Sequence, residues 1–198
     1  MSIVIVDSGG ANIGSVKEAL KRLDCPFLLS RNKEEIRAAD KVLFPGVGAS
    51  ASAMDKINSY GIAETMRQLT QPVLGICLGM QLLFEHSAEG DTKCLGIIKG
   101  KVERIKVSKD TPLPHMGWNE LEFLDETNPL LKDLEKGDQV YFVHTYAAPF
   151  SEETVAYSQY EATKVPAMVR RDNFYGCQFH PEKSASVGQK ILRNFLEL

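Results

Sequence analysis

No stretch of this sequence approaches the roughly 20 consecutive apolar residues that a membrane-spanning helix needs. It also has no long run of basic residues, and 23 Lys and Arg against 26 Asp and Glu give a formal net charge of −3. That balance argues against nucleic acid or an acidic membrane surface as the main partner and leaves small molecules or proteins. Cysteine is scarce: Cys25, Cys77, Cys94 and Cys177 form no C-x-x-C pair, and the chain is large enough to need no disulfide staples. The four histidines are scattered without metal-ligand spacing, so neither a metal nor another cofactor is expected. Gly9 and Gly10 lack both a following Gly-Lys-Ser/Thr and a complete G-x-G-x-x-G, which leaves a tight strand-to-helix turn as their reading. The first residues, Met-Ser-Ile-Val-Ile-Val-Asp, have no basic leader and only a short apolar run, so they read as a strand and not as a signal peptide. Together these absences describe a reduced, cytoplasmic protein.

A length of 198 residues with 43% hydrophobic content suits one globular domain, and no repeat, low-complexity segment or linker divides it. From Met1 to about Phe84, β-rich runs alternate with stretches of helical periodicity. Strands are expected at Ser2 to Asp7, Phe27 to Ser30, Lys41 to Phe44 and Val73 to Leu74. Helices are expected from Ile13, at Lys33 to Ala39, and over Ser52 to Arg67, where Gly61 weakens continuity. This alternation implies right-handed crossovers and a largely parallel sheet, with functional loops at the carboxyl ends of its strands. Beyond Cys94 the strand-like pieces, interrupted by Pro112, Pro114 and Pro129, predict an antiparallel or mixed half, and Val187 to Leu198 closes the chain as an amphipathic helix. The fold class is α/β, a central parallel or mixed sheet flanked by helices.

Pro72 to Gln81 is the stretch around which the rest is arranged. Val73 and Leu74 end a buried strand, whereas Leu78, Gln81, Leu82 and Phe84 have helical spacing, which puts Cys77 at the turn. Gly75 and Gly79 flank it in the G-x-nucleophile-x-G pattern of a strained elbow that holds a nucleophile above the sheet edge. The N–H groups and dipole of the following helix favour a thiolate there. The alternating glycines of Pro45-Gly46-Val47-Gly48 suit either an ordinary turn or a loop that aims backbone N–H groups at an oxyanion.

A cysteine nucleophile needs an imidazole oriented by a third group. His86 is expected on the solvent side of the elbow helix, His115 among loop residues without a carboxylate, and His144 beside Thr145, which is not an acidic orienter. His180 is better placed, at the end of the Tyr175 to Phe179 strand, where Pro181 stops the ladder and lets Glu182 turn back toward the ring. Trp118 and Lys183, an aromatic anchor and a charged residue next to the imidazole, are expected at a partner surface.

Gly75-Ile76-Cys77-Leu78-Gly79-Met80-Gln81, Pro45-Gly46-Val47-Gly48 and Phe179-His180-Pro181-Glu182 together resemble the triad-type class I glutamine amidotransferases over essentially the whole chain. Pro114-His115-Met116-Gly117-Trp118-Asn119, Phe142 to Tyr146 and His180 to Ser184 narrow the resemblance to the glutaminase subunits of imidazole glycerol phosphate synthases. The resemblance implies Cys77 as nucleophile, His180 as base and acid, Glu182 as its orienter, and the Val47 and Leu78 amides as oxyanion donors. It implies Gly48, Gln81, Glu89, Thr145 and Tyr146 as glutamine-binding positions, with Glu89 meeting the substrate ammonium. It further implies a heterodimer in which ammonia passes to a separate (β/α)₈ cyclase. The subunit of another amidotransferase, such as that of anthranilate or pyridoxal phosphate synthesis, and a non-catalytic subunit of the same fold are the alternatives. The chain departs from the family pattern at Ser8 and Ala11, where Tyr and Gly are usual, and at His86 and Ala88.

Overall fold

The computed structural model describes residues 1–9 and 13–198. The expected turn spans Ser8 to Asn12, and its part from Gly10 to Asn12, with the Ala11 departure, lies outside the described residues. The first half runs β1 (Ile3–Val6), α1 (Ile13–Arg22), β2 (Leu28–Ser30), α2 (Lys33–Ala38), β3 (Lys41–Gly46), α3 (Ser50–Ser59), α4 (Ala63–Arg67), β4 (Val73–Cys77) and α5 (Leu78–Gln81). There follow β5 (Phe84–Ser87), β6 (Thr92–Lys93), β7 (Ile98–Arg104), β8 (His115–Glu120), β9 (Glu122–Phe123), β10 (Gln139–His144) and β11 (Tyr146–Ala147). The chain ends with β12 (Thr154–Tyr160), β13 (Thr163–Arg171), β14 (Phe174–Cys177) and α6 (Ala185–Leu196).

The central sheet has the order β2-β1-β3-β4-β14-β13-β12-β9. Its first five strands pair in parallel and the remaining three antiparallel, the parallel-to-mixed transition expected from the sequence. Crossover helices cover both faces of the parallel part, which is why β1 and β4 are continuous apolar runs. In β1, Val4 and Val6 pack with Ile36, Ile57 and Met66 of α2 to α4, while Ile3 and Ile5 pack with Val16 and Leu20 of α1 and with Ile191 and Phe195 of α6. Two smaller sheets, β8 with β10 and β11-β7-β5-β6, stand beside the carboxyl ends of the parallel strands.

Three expectations are corrected. The single helix over Ser52 to Arg67 is two, because Gly61 at φ 66° closes α3, with the Ile62 N–H on the Ile57 carbonyl and the Gly61 N–H on that of Asn58. The elbow helix stops at Gln81: the carbonyls of Leu82, Leu83 and Phe84 accept from the amides of Leu95 to Ile98, and this pairing overrides helical periodicity. His86 therefore lies in β5, 2.8 Å from Asp91, and not on the elbow helix.

Candidate active site

β4 and β3 pair in register so that Gly46 stands opposite Cys77, which sets the glycine-rich loop beside the elbow. Cys77 takes φ 54° and ψ −111°, a conformation costly for any residue with a Cβ and held only because its surroundings over-determine it. Close approach makes the turn possible. A Cβ at Gly79 would lie 1.7 Å from the Phe44 carbonyl oxygen, and one at Gly75 would lie 2.8 Å from the Met80 nitrogen. The flanking glycines are required because α5 packs directly on β3 and β4. Leu78 is the first residue of α5, so no earlier carbonyl of that helix is available to its N–H, which is left at the elbow.

β14 lies next to β4 and carries the chain past Cys177 to His180. There the Pro181 turn brings Oε1 of Glu182 to 2.7 Å from Nδ1 of His180, with the two side chains only 3% and 1% exposed. Burial works against a charge on the His180 ring. Its hydrogen bonds to Cys77 and Glu182, and the attraction of both groups, outweigh that effect and push its pKa up to about 10. The ring thus keeps its proton at neutral pH, facing the Cys77 sulfur with its other side on a carboxylate. Cys77 and His180 open into a cavity of about 320 Å³ that is also lined by Val47, Gly48, Leu78, Gln81, Glu89, Thr145 and Tyr146. The Glu89 carboxylate accepts from the Ser50 N–H at 2.8 Å and from the Ser50 hydroxyl at 3.0 Å, which seats it at the start of α3. Among the described residues no cluster of three or more His, Cys, Asp or Glu could hold a metal.

The family model for glutamine amidotransferase class-I matches residues 4–198. The chain belongs to the class-I glutamine amidotransferases. This amidotransferase is 47% identical over 196 residues to imidazole glycerol phosphate synthase subunit HisH 2 of Legionella pneumophila (strain Paris), covering 99% of this chain and 98% of the relative. It is 47% identical over 198 residues to imidazole glycerol phosphate synthase subunit HisH of Idiomarina loihiensis, covering 100% and 98%. Among solved structures, one glutamine amidotransferase superposes with a TM-score of 0.74 at 23% identity, over 98% of this chain and 97% of that one. Another, from Thermotoga maritima, gives 0.71 at 15% identity, over 100% and 96%. These two report the shared fold.

The amidotransferase cavity holds every residue singled out from the sequence for oxyanion or substrate contact. Trp118 and Lys183 are not in it. Trp118 is 51% exposed on the outer face of β8, edge-on to Tyr141 with ring centroids 6.0 Å apart, and Lys183 is exposed in the turn after His180. Both are tied to the His180 backbone: the Tyr141 carbonyl accepts from the His180 N–H at 2.9 Å, and the Lys183 N–H donates to the His180 carbonyl at 3.0 Å.

Several structural partners of this site were missed in the sequence. Ser184 donates from its hydroxyl to the His180 carbonyl at 2.6 Å and accepts from the Tyr141 N–H at 2.9 Å, clamping the imidazole turn to β10. Gly188 lets α6 approach that turn, since a Cβ there would lie 1.9 Å from the Pro181 carbonyl oxygen. Gln178 is fully buried, with Nε2 3.9 Å from the Cys77 sulfur and Oε1 accepting from Nε2 of Gln81 at 2.9 Å. His115, expected in a loop, opens β8 and is buried against His144. A serine or glutamine near a catalytic histidine carries no local sequence signature; only the Gln-Phe-His-Pro run was available to point at Gln178.

Proposed function

We propose that this chain is the glutaminase subunit of an imidazole glycerol phosphate synthase, with Cys77, His180 and Glu182 as its catalytic triad and residues 1–198 as one amidotransferase domain. The observation that carries the reading is the meeting, in the lining of one cavity, of a strained-elbow cysteine and a buried imidazole whose far nitrogen is 2.7 Å from a carboxylate. The full-length identity to two HisH subunits supports the choice within the family.

In this mechanism the Cys77 sulfur attacks the side-chain amide carbon of glutamine. The resulting oxyanion is held by the Leu78 N–H and, once its peptide is turned inward, by that of Val47. His180 gives its proton to the departing nitrogen, the C–N bond breaks and ammonia leaves a glutamyl thioester. The now neutral ring takes a proton from water, which adds to the thioester and releases glutamate and the sulfur. Glu182 keeps the ring in the orientation and tautomer both steps need. Glu89 receives the substrate ammonium, and Gly48, Gln81, Thr145 and Tyr146 fix the rest of the glutamine.

The ammonia passes to a cyclase subunit with a (β/α)₈ barrel, which docks over the face bearing Trp118 and Lys183 in a cytoplasmic heterodimer. There it completes imidazole glycerol phosphate and the aminoimidazole carboxamide ribotide in histidine biosynthesis. Among the described residues no helix is long and apolar enough to cross a membrane. The test is glutamate release by the chain alone, with the cyclase, and with the cyclase plus its nucleotide ligand. The rate should rise at each addition, because one oxyanion donor left turned away costs about 10²–10³ in rate. Equal rates in all three would refute gating by this partner, and no release in any would refute the glutaminase assignment.

A further inference from the structure

His115 and His144 are buried, and neither takes part in the mechanism above. Their rings are joined, Nδ1 of His115 to Nε2 of His144, at 2.9 Å. Nδ1 of His144 lies 2.8 Å from the Tyr146 carbonyl oxygen, and Nε2 of His115 lies 3.2 Å from Nδ2 of Asn119. A carbonyl only accepts, so Nδ1 of His144 carries the hydrogen and its Nε2, in a neutral ring, is an acceptor. Nδ1 of His115 must then donate, which leaves its Nε2 to accept from the Asn119 amide. The Asn119 amide is fixed in turn by the Gln159 carbonyl at 2.9 Å and by the Glu120 N–H at 2.8 Å. Every hydrogen in the chain therefore points one way. Burial holds both rings neutral, with pKa values pushed down to about 4 for His115 and about 3 for His144. Stacking of His115 between Phe142, at 4.6 Å, and Tyr160, at 4.0 Å, fixes the plane of its ring, and the bonds to Asn119 and His144 fix which way round it lies.

His144 itself lines the cavity, and the Tyr146 carbonyl beyond it links the chain to the reacting groups. The Tyr146 carbonyl accepts a second hydrogen bond, at 2.8 Å, from Nε2 of Gln81, whose other hydrogen goes to Oε1 of Gln178, and Gln178 in turn faces the Cys77 sulfur. One peptide oxygen thus joins the histidine pair to the two amides beside the reactive sulfur. We propose that His115 and His144 are positioning residues for the glutaminase reaction: their one-way relay fixes the Tyr146 carbonyl, and through it the Thr145–Tyr146 wall and the Gln81–Gln178 pair, so that glutamine is presented to Cys77. The inference rests on the function proposed above and adds two residues to it.

The relay predicts an uncommon tautomer at both rings, with the hydrogen on Nδ1, at neutral pH. Nitrogen-15 histidine spectra of the unsubstituted chain read this directly, because only four histidines are present. A hydrogen on Nε2 of either neutral ring, or a charged ring, overturns the relay. The kinetic test compares two substitutions in the chain assembled with its cyclase. An asparagine amide mimics Nδ1, so His144→Asn retains the donor to the Tyr146 carbonyl, whereas His144→Gln mimics Nε2 and loses it. Loss of one buried hydrogen bond should raise the KM for glutamine roughly five- to tenfold in His144→Gln, with kcat changed less and His144→Asn nearer the unsubstituted chain. The reverse order, or no change in either, overturns the inference while leaving the glutaminase function standing. An unsubstituted chain that releases no glutamate removes both.

Discussion

Replacing Glu182 by Gln removes one charge and almost no volume from a buried polar pair of the site, and its effect can be worked out from the structure. The 2.7 Å contact joins side chains that are 3% and 1% exposed, so solvent screens it little. A hydrogen bond to a charged partner in such a place is worth about 1.5–3 kcal/mol, which is roughly one to two pH units in the titration of His180. The ring also loses the partner that fixes its orientation and tautomer, so kcat should fall as well, though by less than removal of the imidazole itself would cost. His180 must be protonated to give its proton to the leaving nitrogen, and its pKa stands at about 10. The alkaline limb of glutamate release by the heterodimer should therefore move down by one to two pH units in Glu182→Gln. Stability follows the same sign. Because the folded-state pKa is raised above the ordinary 6.5, the contribution of the protonated ring is complete below 6.5 and is lost as pH rises through about 10. The stability gap between the two proteins should accordingly be full at about pH 6.5 and close as the pH rises through about 10. An alkaline limb in the same place for both would refute the role given to Glu182, whatever happened to kcat.

Gly188→Ala would drive a methyl group to 1.9 Å from the Pro181 carbonyl, so the turn carrying His180 and Glu182 must shift. A displacement of about 1 Å at reacting groups costs on the order of 10²-fold in rate, and an unchanged kcat would show that the turn is not held by α6. His115 and His144 stay neutral in the fold with pKa values of about 4 and 3, both below the ordinary 6.5. Between pH 6.5 and 4 the unfolded chain binds protons that the folded one does not. Stability should fall as the pH drops, by about 1.4 kcal/mol per unit for each ring. Urea midpoints at pH 7 and 5 measure this, and His115→Gln should remove about half of the slope; an unaltered slope would contradict the neutral pair.

The parallel half of the fold was legible because buried strands and crossover helices impose their own periods, as in the apolar run of β1 and the helical spacing of α1. The elbow was legible for a different reason: only glycine fits where the Phe44 carbonyl approaches Gly79, so the packing requirement is written into residue identity. Where tertiary pairing decided, local pattern misled. Leu82 and Phe84 have helical spacing after Leu78, yet their carbonyls pair with the segment from Leu95, and this placed His86 wrongly. Glu182 could be assigned to His180 because the two are adjacent in sequence around a proline. His115 and His144 are 29 residues apart and meet only through the pairing of β8 with β10, so nothing local marks them as partners. Gln178 and Ser184 belong to the same class, their roles set by strands far away in the chain.

The most direct test of the central claim is to treat the heterodimer with a glutamine-analogue electrophile and locate the adduct by peptide mass spectrometry. Burial raises the thiol pKa of Cys25, pushes that of Cys94 up to about 11 and raises that of Cys177 as well, so none of these should compete. The account predicts one label per chain, on Cys77, formed far more slowly in His180→Ala and abolished in Cys77→Ser. A label shared among the four cysteines, or one that persists on another residue in Cys77→Ser, would contradict it.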